Sequence, residues 1–472
     1  MESDWSEFHL KDILEHVADN RGKNPEAYSE NGIPVIDNYL ITSNWRIDLA
    51  DCRRHIDTET YQSFIRKHIE EDDVLITLVG NGYGQVAITP KEKCVIIQNT
   101  VGLRCNPENN TRYLYYLLKG NREILMNLNI GAAQPSIKLG NLMELLFTLP
   151  PLPEQKAIAH ILGSLDDQIE LNRRMNASLE GMAQALFKSW FVDFDPVIDN
   201  ALAAGNPIPD ELAARAEVRR GALRANAEVG MLNAETEASS TQTSSRSTHH
   251  SLFPAAFQES EAMGWIPKGW EVKTIGDLCV KIQNGGTPKR DNEEFWNNGT
   301  IPWLTSGEVR QAVITSVKNK ITESGLLNSS AKWLPACSTV VAMYGATAGQ
   351  VAFITSKVTT NQAVCGLVPK EHFQYFNYLL IEGNVKHFEN QARGSAQQNI
   401  SKEIIEESAA IIPPLHVVQS FEDLAHPIFE KWVKSMETND QLSKLRDTLL
   451  PKLISGDLRI PEAEQLIEEA MV

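Results

Sequence analysis

The chain has 472 residues, a formal net charge of −17 and six scattered cysteines. This length predicts two or three domains, and the cysteine spacing predicts reduced thiols without a metal site. No apolar run reaches the roughly 18 residues of a membrane span and the N-terminus is acidic, so we expect a soluble, cytoplasmic protein. The negative charge argues against a DNA-binding protein that acts without partners, because phosphate contacts need lysine and arginine.

Residues 1–150 are predicted to form a first α+β domain. Short β-branched runs such as DVLITLV (73–79) and QVAIT (85–89) are separated by Gly, Pro, Asn and Ser, which is typical of strands and turns. Residues 110–128 have the apolar spacing of one helix. The glycine-rich GNGYGQ (80–85) is expected to form a turn that leads into a strand.

A first long helix is predicted over residues 151–195, directly after the prolines at 150 and 151. Alternating steps of four and three residues connect an apolar stripe with a polar centre, as in the seam of a coiled coil. The stripe consists of Ile158, Leu162, Leu165, Ile169, Asn172, Asn176, Leu179, Ala183 and Leu186.

Residues 196–263 are predicted to link the two halves. The segment over 210–230 has the composition of a solvated, Ala-rich helix. The Ser/Thr-rich tract over 235–251 has the composition of a flexible linker, and its two histidines are not expected to bind a metal.

The second half of the chain repeats the first. GQVAIT at Gly84 recurs as GQVAFIT at Gly349, 265 residues later. PPL at Pro150 recurs at Pro413, 263 residues later. Self-similarity over such a distance predicts two copies of one structural frame.

The repeat predicts a second α+β domain over 264–412, a second long helix over 413–458 and an acidic tail over 459–472. Adding 263 to each stripe position gives a second stripe, which is also apolar at both ends and polar at its centre. It consists of Phe421, Ala425, Ile428, Trp432, Ser435, Asn439, Leu442, Arg446 and Leu449. Two such helices in one chain favour mutual pairing as a coiled coil. The alternative is that each helix packs on its own domain.

Motifs of common nucleotide-dependent and hydrolytic enzymes do not occur. The chain has no G-x-x-x-x-G-K-[ST], G-x-S-x-G or H-E-x-x-H motif. It also lacks the N-P-P-[YF] or D-P-P-[YF] motif with which nucleic-acid amino-methyltransferases hold a flipped base. We therefore do not expect the chain to be an enzyme by itself.

Two variable α+β domains, each followed by a similar long helix, resemble the specificity subunit of type I restriction-modification systems. The resemblance covers nearly the whole chain. Its most specific marks are PLPEQKAIAHILGSLDDQIELNRRMNASLEGMAQALFKSWFVDFDPV (151–197), LFPAAFQESEAMGWIPKGWEV (252–272), IPWLTSGEV (301–309), GSAQQNIS (394–401) and LLPKLISGDLRI (449–460). The second half departs from the family pattern in PLHVVQSFEDL (414–424), which lacks the Glu-Gln pair found at Glu154 and Gln155.

The resemblance implies two similar target recognition domains joined by a long antiparallel two-helix coiled coil. Each domain is expected to read one half of an asymmetric, split sequence in double-stranded DNA. The resemblance also implies a non-catalytic subunit that docks two methylation subunits and, through them, two restriction subunits. S-adenosylmethionine, ATP and Mg²⁺ are expected on those partners, and no cofactor is expected on this chain.

Loops that combine glycine, hydroxyls, amides and basic residues can approach phosphates and base edges closely. In the second domain the candidates for DNA contact are Gly285, Gly286, Thr287, Lys289, Arg290, Thr305, Ser306, Tyr344, Thr347, Asn361, Gln362, Arg393, Ser395 and Gln397. In the first domain they are Arg21, Lys23, Asn24, Asn38, Tyr39, Asn81, Tyr83, Gln98, Asn99, Gln134 and Ser136. Each residue also has a structural interpretation as a turn glycine, a cap or a solvated charge.

The resemblance assigns the long helices to spacing the two domains and to binding the methylation subunits. Lys188, Trp190 and Phe191 are candidates for that contact, and the alternative is that Trp190 and Phe191 close a core. Two other functions stay open. One is an assembly scaffold with twin protein-binding domains, and the other is an orphan DNA methyltransferase.

Overall fold

The computed structural model describes residues 5–22, 24–42, 44–80, 82–131, 135–234, 252–393 and 399–471. The chain forms two compact units. Unit 1 consists of Met1–Leu171 and Asn439–Val472, and unit 2 consists of Asn172–Thr438. The Ser/Thr-rich tract over 235–251, predicted as a flexible linker, lies outside the described residues.

The first domain mixes strands and helices, as the sequence predicts. Its strands are β1 (Ser6–His9), β2 (Leu14–Ala18), β3 (Ile33–Ile36), β4 (His55–Ile56), β5 (Val74–Thr77), β6 (Val86–Ile88), β7 (Val95–Ile96), β8 (Thr100–Cys105) and β9 (Leu146–Leu149). Its helices are α1 (Thr58–Ser63), α2 (Thr111–Gly120), α3 (Arg122–Asn127) and α4 (Leu139–Met143). One sheet has the antiparallel order β2-β8-β5-β6, a second has the order β4-β3-β7, and β1 pairs with β9.

The middle of the chain is helical. The first long helix, α5, comprises Leu152–Phe187, and a π-helical turn over Lys188–Val192 follows it. Next come α6 (Asp195–Ala204) and α7 (Ala213–Ala234). None of the helices in the described ranges is both long and apolar enough to cross a lipid bilayer.

The second domain repeats this frame. Its strands are β10 (Phe257–Ser260), β11 (Gly264–Pro267), β12 (Glu271–Thr274), β13 (Cys279–Asn284), β14 (Ile301–Leu304), β15 (Val313–Ile314), β16 (Lys320–Ile321), β17 (Trp333–Leu334), β18 (Thr339–Ala342), β19 (Val351–Ile354), β20 (Val358–Thr360), β21 (Val364–Pro369) and β22 (Ala409–Ile412). Its helices are α8 (Glu323–Leu327), α9 (Gln374–Gly383), α10 (Val385–Arg393) and α11 (Lys402–Glu407). The order β13-β21-β18-β19 reproduces β2-β8-β5-β6, and β16-β14-β20 reproduces β4-β3-β7. The second long helix, α12 (Leu415–Ser455), is followed by α13 (Ile460–Met471), so the acidic tail is helical.

The repeated GQVA forms the same turn and strand in both units. Gly84 and Gly349 have left-handed backbones, with φ of 73° and 82°, which glycine adopts without the steric cost of a Cβ. The Gly84 amide donates to the Thr77 carbonyl (2.8 Å), and the Gly349 amide donates to the Ala342 carbonyl (2.9 Å). These bonds close the β5–β6 and β18–β19 hairpins. The prediction of a turn that leads into a strand is therefore confirmed.

The helix predicted over 110–128 is two helices, α2 and α3, and its counterpart in unit 2 is also divided, into α9 and α10. An asparagine interrupts the helix at the same place in both units. The Asn121 side chain donates to the Leu117 carbonyl (2.9 Å), and the Asn384 side chain donates to the Leu380 carbonyl (2.8 Å). A side chain that satisfies a helix-terminal carbonyl ends the helix. The prediction of one helix is therefore wrong.

In unit 1, segments of α5 and α12 pair with each other. Ile158, Leu162, Leu165 and Ile169 of α5 lie in one buried cluster with Leu442 and Leu449 of α12 and with the β2-β8-β5-β6 sheet. Asn439 donates from Nδ2 to the Ile169 carbonyl (3.3 Å), and Arg446 donates from Nη1 to Asp166 (2.6 Å). Residue numbers rise along one helix as they fall along the other, so the pairing is antiparallel. The same cluster includes α2 residues, so these helices also pack on their domain.

In unit 2, the other segments of α5 and α12 pair in the same way. Leu179, Phe421 and Trp432 are buried in a common cluster, and Leu186 and Ile428 pack against it. The polar centre of the stripe is buried too, with Asn172 only 5% and Asn176 only 7% exposed. Asn176 donates from Nδ2 to the Met436 sulfur (3.2 Å). The prediction that the long helices pair is confirmed in both units.

The Ala-rich helix is not simply solvated. Arg215 of α7 donates from Nε to Asp195 (2.7 Å), and Arg219 donates from Nε to Asp199 (2.8 Å). Both aspartates belong to α6, and both are largely buried. α6 and α7 therefore form a hairpin held by two half-buried ion pairs, and the prediction of a solvated linker helix is wrong for this face of α7.

Candidate nucleic-acid interface

Four loops of unit 2 share one edge of the second domain. β21 is antiparallel to β13 and β18, so its N-terminal end lies beside their C-terminal ends. β14 is parallel to β20, and β20 leads into the turn before β21. The loops over 285–290, 305–308, 343–347 and 361–363 therefore lie together, and we call them the second loop edge.

Hydrogen bonds join these loops directly. The Gly286 amide donates to the Thr360 carbonyl (2.8 Å), and the Asn361 amide donates to the Leu304 carbonyl (3.0 Å). The Thr287 hydroxyl donates to the Gln362 side chain. The structure thus brings together most of the second-domain candidates, which are separated by up to 77 residues between 285 and 362.

Steric crowding explains why positions 285 and 286 of this edge are glycine. A Cβ on Gly285 would lie 2.1 Å from the Thr360 carbonyl oxygen, and one on Gly286 would lie 2.2 Å from the Ser330 hydroxyl. Such distances are impossible for real atoms, so only glycine permits this approach of the loop to the sheet. Their role in the domain is therefore close backbone packing.

The remaining side chains of the second loop edge differ in exposure. Thr305 is held in a reciprocal cap with Glu308, whose carboxylate accepts from the Thr305 amide (3.0 Å). Thr347 is only 5% exposed, so its side chain is not presented to solvent. Ser306 and Asn361 are half-buried. The exposed candidates are Lys289, Arg290, Tyr344 and Gln362.

Unit 1 has an equivalent edge. β8 is antiparallel to β2 and β5, and β3 is parallel to β7, so the loop residues 19–22, 37–40, 78–80, 82–83 and 97–99 lie together as the first loop edge. Asn38 donates from Nδ2 to the Val79 carbonyl (2.8 Å) and accepts from the Thr100 hydroxyl (3.2 Å). The Leu78 amide donates to the Asn99 carbonyl (2.7 Å). Ser136 joins this edge through an isolated bridge to Val79.

The basic side chains of the first loop edge are partly neutralised. Arg21 forms a bidentate pair with Asp19, with both N···O distances 2.8 Å, and this hydrogen bond lowers the pKa of Asp19. Arg54 likewise pairs with Asp37. Among the candidates, Asn24 and Tyr39 are exposed, whereas Tyr83, Gln98 and Asn99 are half-buried.

Sequence reasoning missed Arg53. Its guanidinium lies 5.0 Å from the ring centre of Tyr39, a candidate 14 residues earlier in the chain. The Tyr39 hydroxyl also accepts from the Arg53 amide (3.0 Å). No spacing rule links these two positions, because the fold of the long segment between β3 and β4 brings them together.

Several candidates fall beyond the part of the chain that the structure describes. These are Lys23, Asn81, Gln134, Ser395 and Gln397. Arg393 is the last residue of α10, and nothing is described of its side chain.

Three buried cysteines are poorly suited to act as nucleophiles. Burial raises the pKa of the Cys94, Cys105 and Cys279 thiols to about 12, so they stay protonated and are poor nucleophiles at neutral pH. Across the described ranges, no group of three or more His, Cys, Asp or Glu side chains is arranged to hold a metal ion.

The aromatic residues at the end of α5 belong to the core. Trp190 is 7% and Phe191 is 5% exposed, and both pack against Phe421 with ring centres 6.0 and 5.0 Å away. The prediction that they contact a partner is therefore wrong, and their alternative interpretation as core residues is correct. Lys188 is exposed, and its ammonium group pairs with Asp193.

Comparison with known proteins agrees with this architecture. The family model described as "Type I restriction modification DNA specificity domain" matches residues 2–181 and 267–420. The type I restriction enzyme HindI specificity subunit of Haemophilus influenzae is 27% identical over 97% of this chain and 100% of its own length. The MjaIX specificity subunit of Methanocaldococcus jannaschii is 27% identical over 75% of this chain and 70% of its own. The crystal structure of a type I S subunit from M. genitalium matches the fold with a TM-score of 0.55 at 13% identity, over 96% of each chain.

Two recognition domains in one repeated frame, each followed by a long helix, define a DNA specificity protein. Since the family model matches most of its length, the chain belongs to the specificity subunits of type I restriction-modification systems. Its relatives are named as specificity subunits, which is consistent with a non-catalytic role.

Proposed function

We propose that this chain reads an asymmetric, bipartite sequence in double-stranded DNA, with one half-site for each loop edge. The observation that carries the proposal is that the two units repeat one sheet order but present unlike loops. The first loop edge holds Arg21 in an ion pair, whereas the second exposes Lys289 and Arg290. Unlike side chains read unlike bases, so the two half-sites should differ.

The long helices suit a spacing role. α5 has 36 residues and α12 has 41, which correspond to roughly 54 and 62 Å at helical rise. Two half-sites that are read from the same face of DNA lie one helical turn, about 34 Å, or a multiple of that distance apart. The helices are therefore long enough to set such a spacing and still offer surface for the methylation subunits.

The proposed function requires partner subunits. With a net charge of −17, the chain cannot supply the whole positive field that DNA binding needs. We propose that two methylation subunits dock on it in the cytoplasm and surround the DNA, and that two restriction subunits join through them. S-adenosylmethionine, ATP and Mg²⁺ then bind those partners and not this chain.

Methylation mapping tests the proposal. The chain is co-expressed with its methylation subunit in a host that lacks adenine methylation, and modified bases are mapped across the genome. We expect one split motif with unlike halves and a fixed gap. Tyr39→Ala in the first loop edge should alter only one half, and Gln362→Ala in the second should alter only the other.

The same experiment separates the other functions. A soluble complex with a competent methylation subunit that yields no motif would favour an assembly scaffold. Adenine methylation by the purified chain alone, without the methylation subunit, would show an orphan methyltransferase instead. A motif whose two halves both change with Tyr39→Ala would contradict the assignment of one half-site to each edge.

A further inference from the structure

One arginine of the second loop edge is held rigidly against aromatic rings. The Arg290 guanidinium lies 4.3 Å from the ring centre of Trp296 and 4.9 Å from that of Trp303. The two indoles meet at 84°, with centres 5.1 Å apart, and form a corner around the cation. Contacts of this kind use the face of the guanidinium plane. The N–H donors on its edge therefore stay available.

Backbone hydrogen bonds fix the loop that carries Arg290. The Trp303 indole N–H donates to the Gly286 carbonyl (2.9 Å), and the Trp296 indole N–H donates to the Lys289 carbonyl (2.9 Å). Trp303 itself is only 1% exposed, so the support is part of the core. A side chain held in place before binding loses less conformational freedom when a ligand arrives.

Among the described residues, no acid forms an ion pair with this arginine. Of the carboxylates that follow it in sequence, Glu293 accepts from Asn297 (3.2 Å) and Glu294 accepts from Ser324 (2.8 Å), and Asp291 does not form an ion pair with it. Within the described ranges, Arg290 forms neither an ion pair nor a hydrogen bond through its guanidinium.

The first loop edge shows the opposite arrangement. Asp19 accepts from Nε and Nη2 of Arg21, and Arg54 is paired with Asp37. An arginine in such a pair must first give up a charge-assisted bond before it can bind a base. Arg290 has no such bond to give up, and it is exposed at the second loop edge.

We propose that Arg290 reads a guanine in the half-site contacted by the second domain, by donating two hydrogen bonds to O6 and N7 in the major groove. Two parallel acceptors of this spacing match the arginine fork and occur on guanine alone. The inference rests on the proposed function and names the base that this loop selects.

Three variants of the intact complex test the proposal by methylation mapping. Arg290→Ala removes the fork, Arg290→Lys keeps the charge but not the bidentate geometry, and Lys289→Ala is the matched control at an exposed neighbour. Both Arg290 variants should relax the motif at one guanine of one half-site and leave the other half unchanged. Lys289→Ala should lower methylation evenly at all sites, as loss of a phosphate contact does.

Binding to modified DNA gives the second measurement. Replacing that guanine by 7-deazaguanine, which lacks N7 but keeps O6, should weaken wild-type binding by at most roughly 150-fold, the upper limit for loss of a whole bidentate contact. It should not weaken Arg290→Ala further. The proposal is overturned if the motif has no guanine in the affected half, or if both Arg290 variants retain the wild-type motif. A wild-type complex without any split motif would instead refute the proposed function itself.

Discussion

The buried carboxylate of Glu422 should make the stability of unit 2 depend on pH. Glu422 lies on α12, is 7% exposed, and accepts from the amides of Tyr375 (3.0 Å) and Phe376 (2.8 Å). These amides begin α9, whose N-cap residue Phe373 provides no side-chain hydrogen bond. Glu422 therefore caps α9 from another helix and ties the second domain to α12.

The size of the expected pH effect on stability follows from the pKa of Glu422. Burial raises the pKa of Glu422 from its ordinary value of 4.5 to about 7, although the backbone amides lower it in part. One pH unit is worth about 1.4 kcal/mol, so this gap corresponds to about 3 kcal/mol. The folded chain holds a proton that the unfolded chain has released between these values. The contribution is therefore fully present below pH 4.5 and is lost as the pH rises through about 7.

The assay compares the wild type with Glu422→Gln, which cannot ionise. Urea unfolding is followed by tryptophan fluorescence, since seven of the nine tryptophans lie in unit 2. From pH 4.5 to 8, the unfolding free energy of the wild type should fall by about 3 kcal/mol relative to the variant. His426→Gln is the control for the neighbouring imidazole, which contacts Tyr375. The reasoning would be refuted if the difference in unfolding free energy between wild type and Glu422→Gln stayed constant with pH, or if the wild type gained stability relative to the variant as the pH rose.

Three further predictions concern stability. Arg446→Met should cost unit 1 about 3–5 kcal/mol because the buried Asp166 loses its charged partner and keeps a hydrogen bond from the Tyr116 hydroxyl, and adding Asp166→Ala should recover much of that loss in a double-mutant cycle of urea unfolding. Gly285→Ala should lower the melting temperature of unit 2 because its Cβ has no room, whereas Gly221→Ala on α7, with nothing within 4 Å, should be neutral or stabilising by up to about 1 kcal/mol. Arg219→Ala should loosen the α6–α7 hairpin and speed trypsin cleavage within α7, and unchanged cleavage would show that the ion pair does not hold it.

The long helices show how a pattern in sequence can determine structure. Their stripes repeat at a spacing of 263 residues, and the polar centre repeats with them. Periodicity of 3.5 residues leaves one face to bury, so the sequence alone predicts the two helices and favours their mutual pairing. The hairpin at each GQVA could also be predicted from the sequence, because glycine favours the left-handed backbone that Gly84 and Gly349 adopt in the turn.

The ionic contacts between separate elements could not be predicted from the periodicity of the sequence. Arg446 occupies a stripe position that periodicity treats as apolar, and only the folded unit places Asp166 beside it. Burial alone would lower the pKa of Arg446, but the charge of Asp166 raises it above the ordinary value. Glu422 likewise has no counterpart in the first half, where the position 263 residues earlier is Ala159. There the buried Gln155 binds the amide of Asn110 instead (2.9 Å).

For the candidate interface, the sequence by itself determined which loops carry glycine, amides and basic residues. The tertiary structure decided which of these side chains are exposed, because exposure depends on contacts between residues far apart in the chain. Thr347 is buried, Trp190 belongs to the core, and Arg290 lies against the rings of Trp296 and Trp303 while it stays exposed. Local pattern reports the period of burial along one element, whereas the partner of a charge depends on how the whole domain folds.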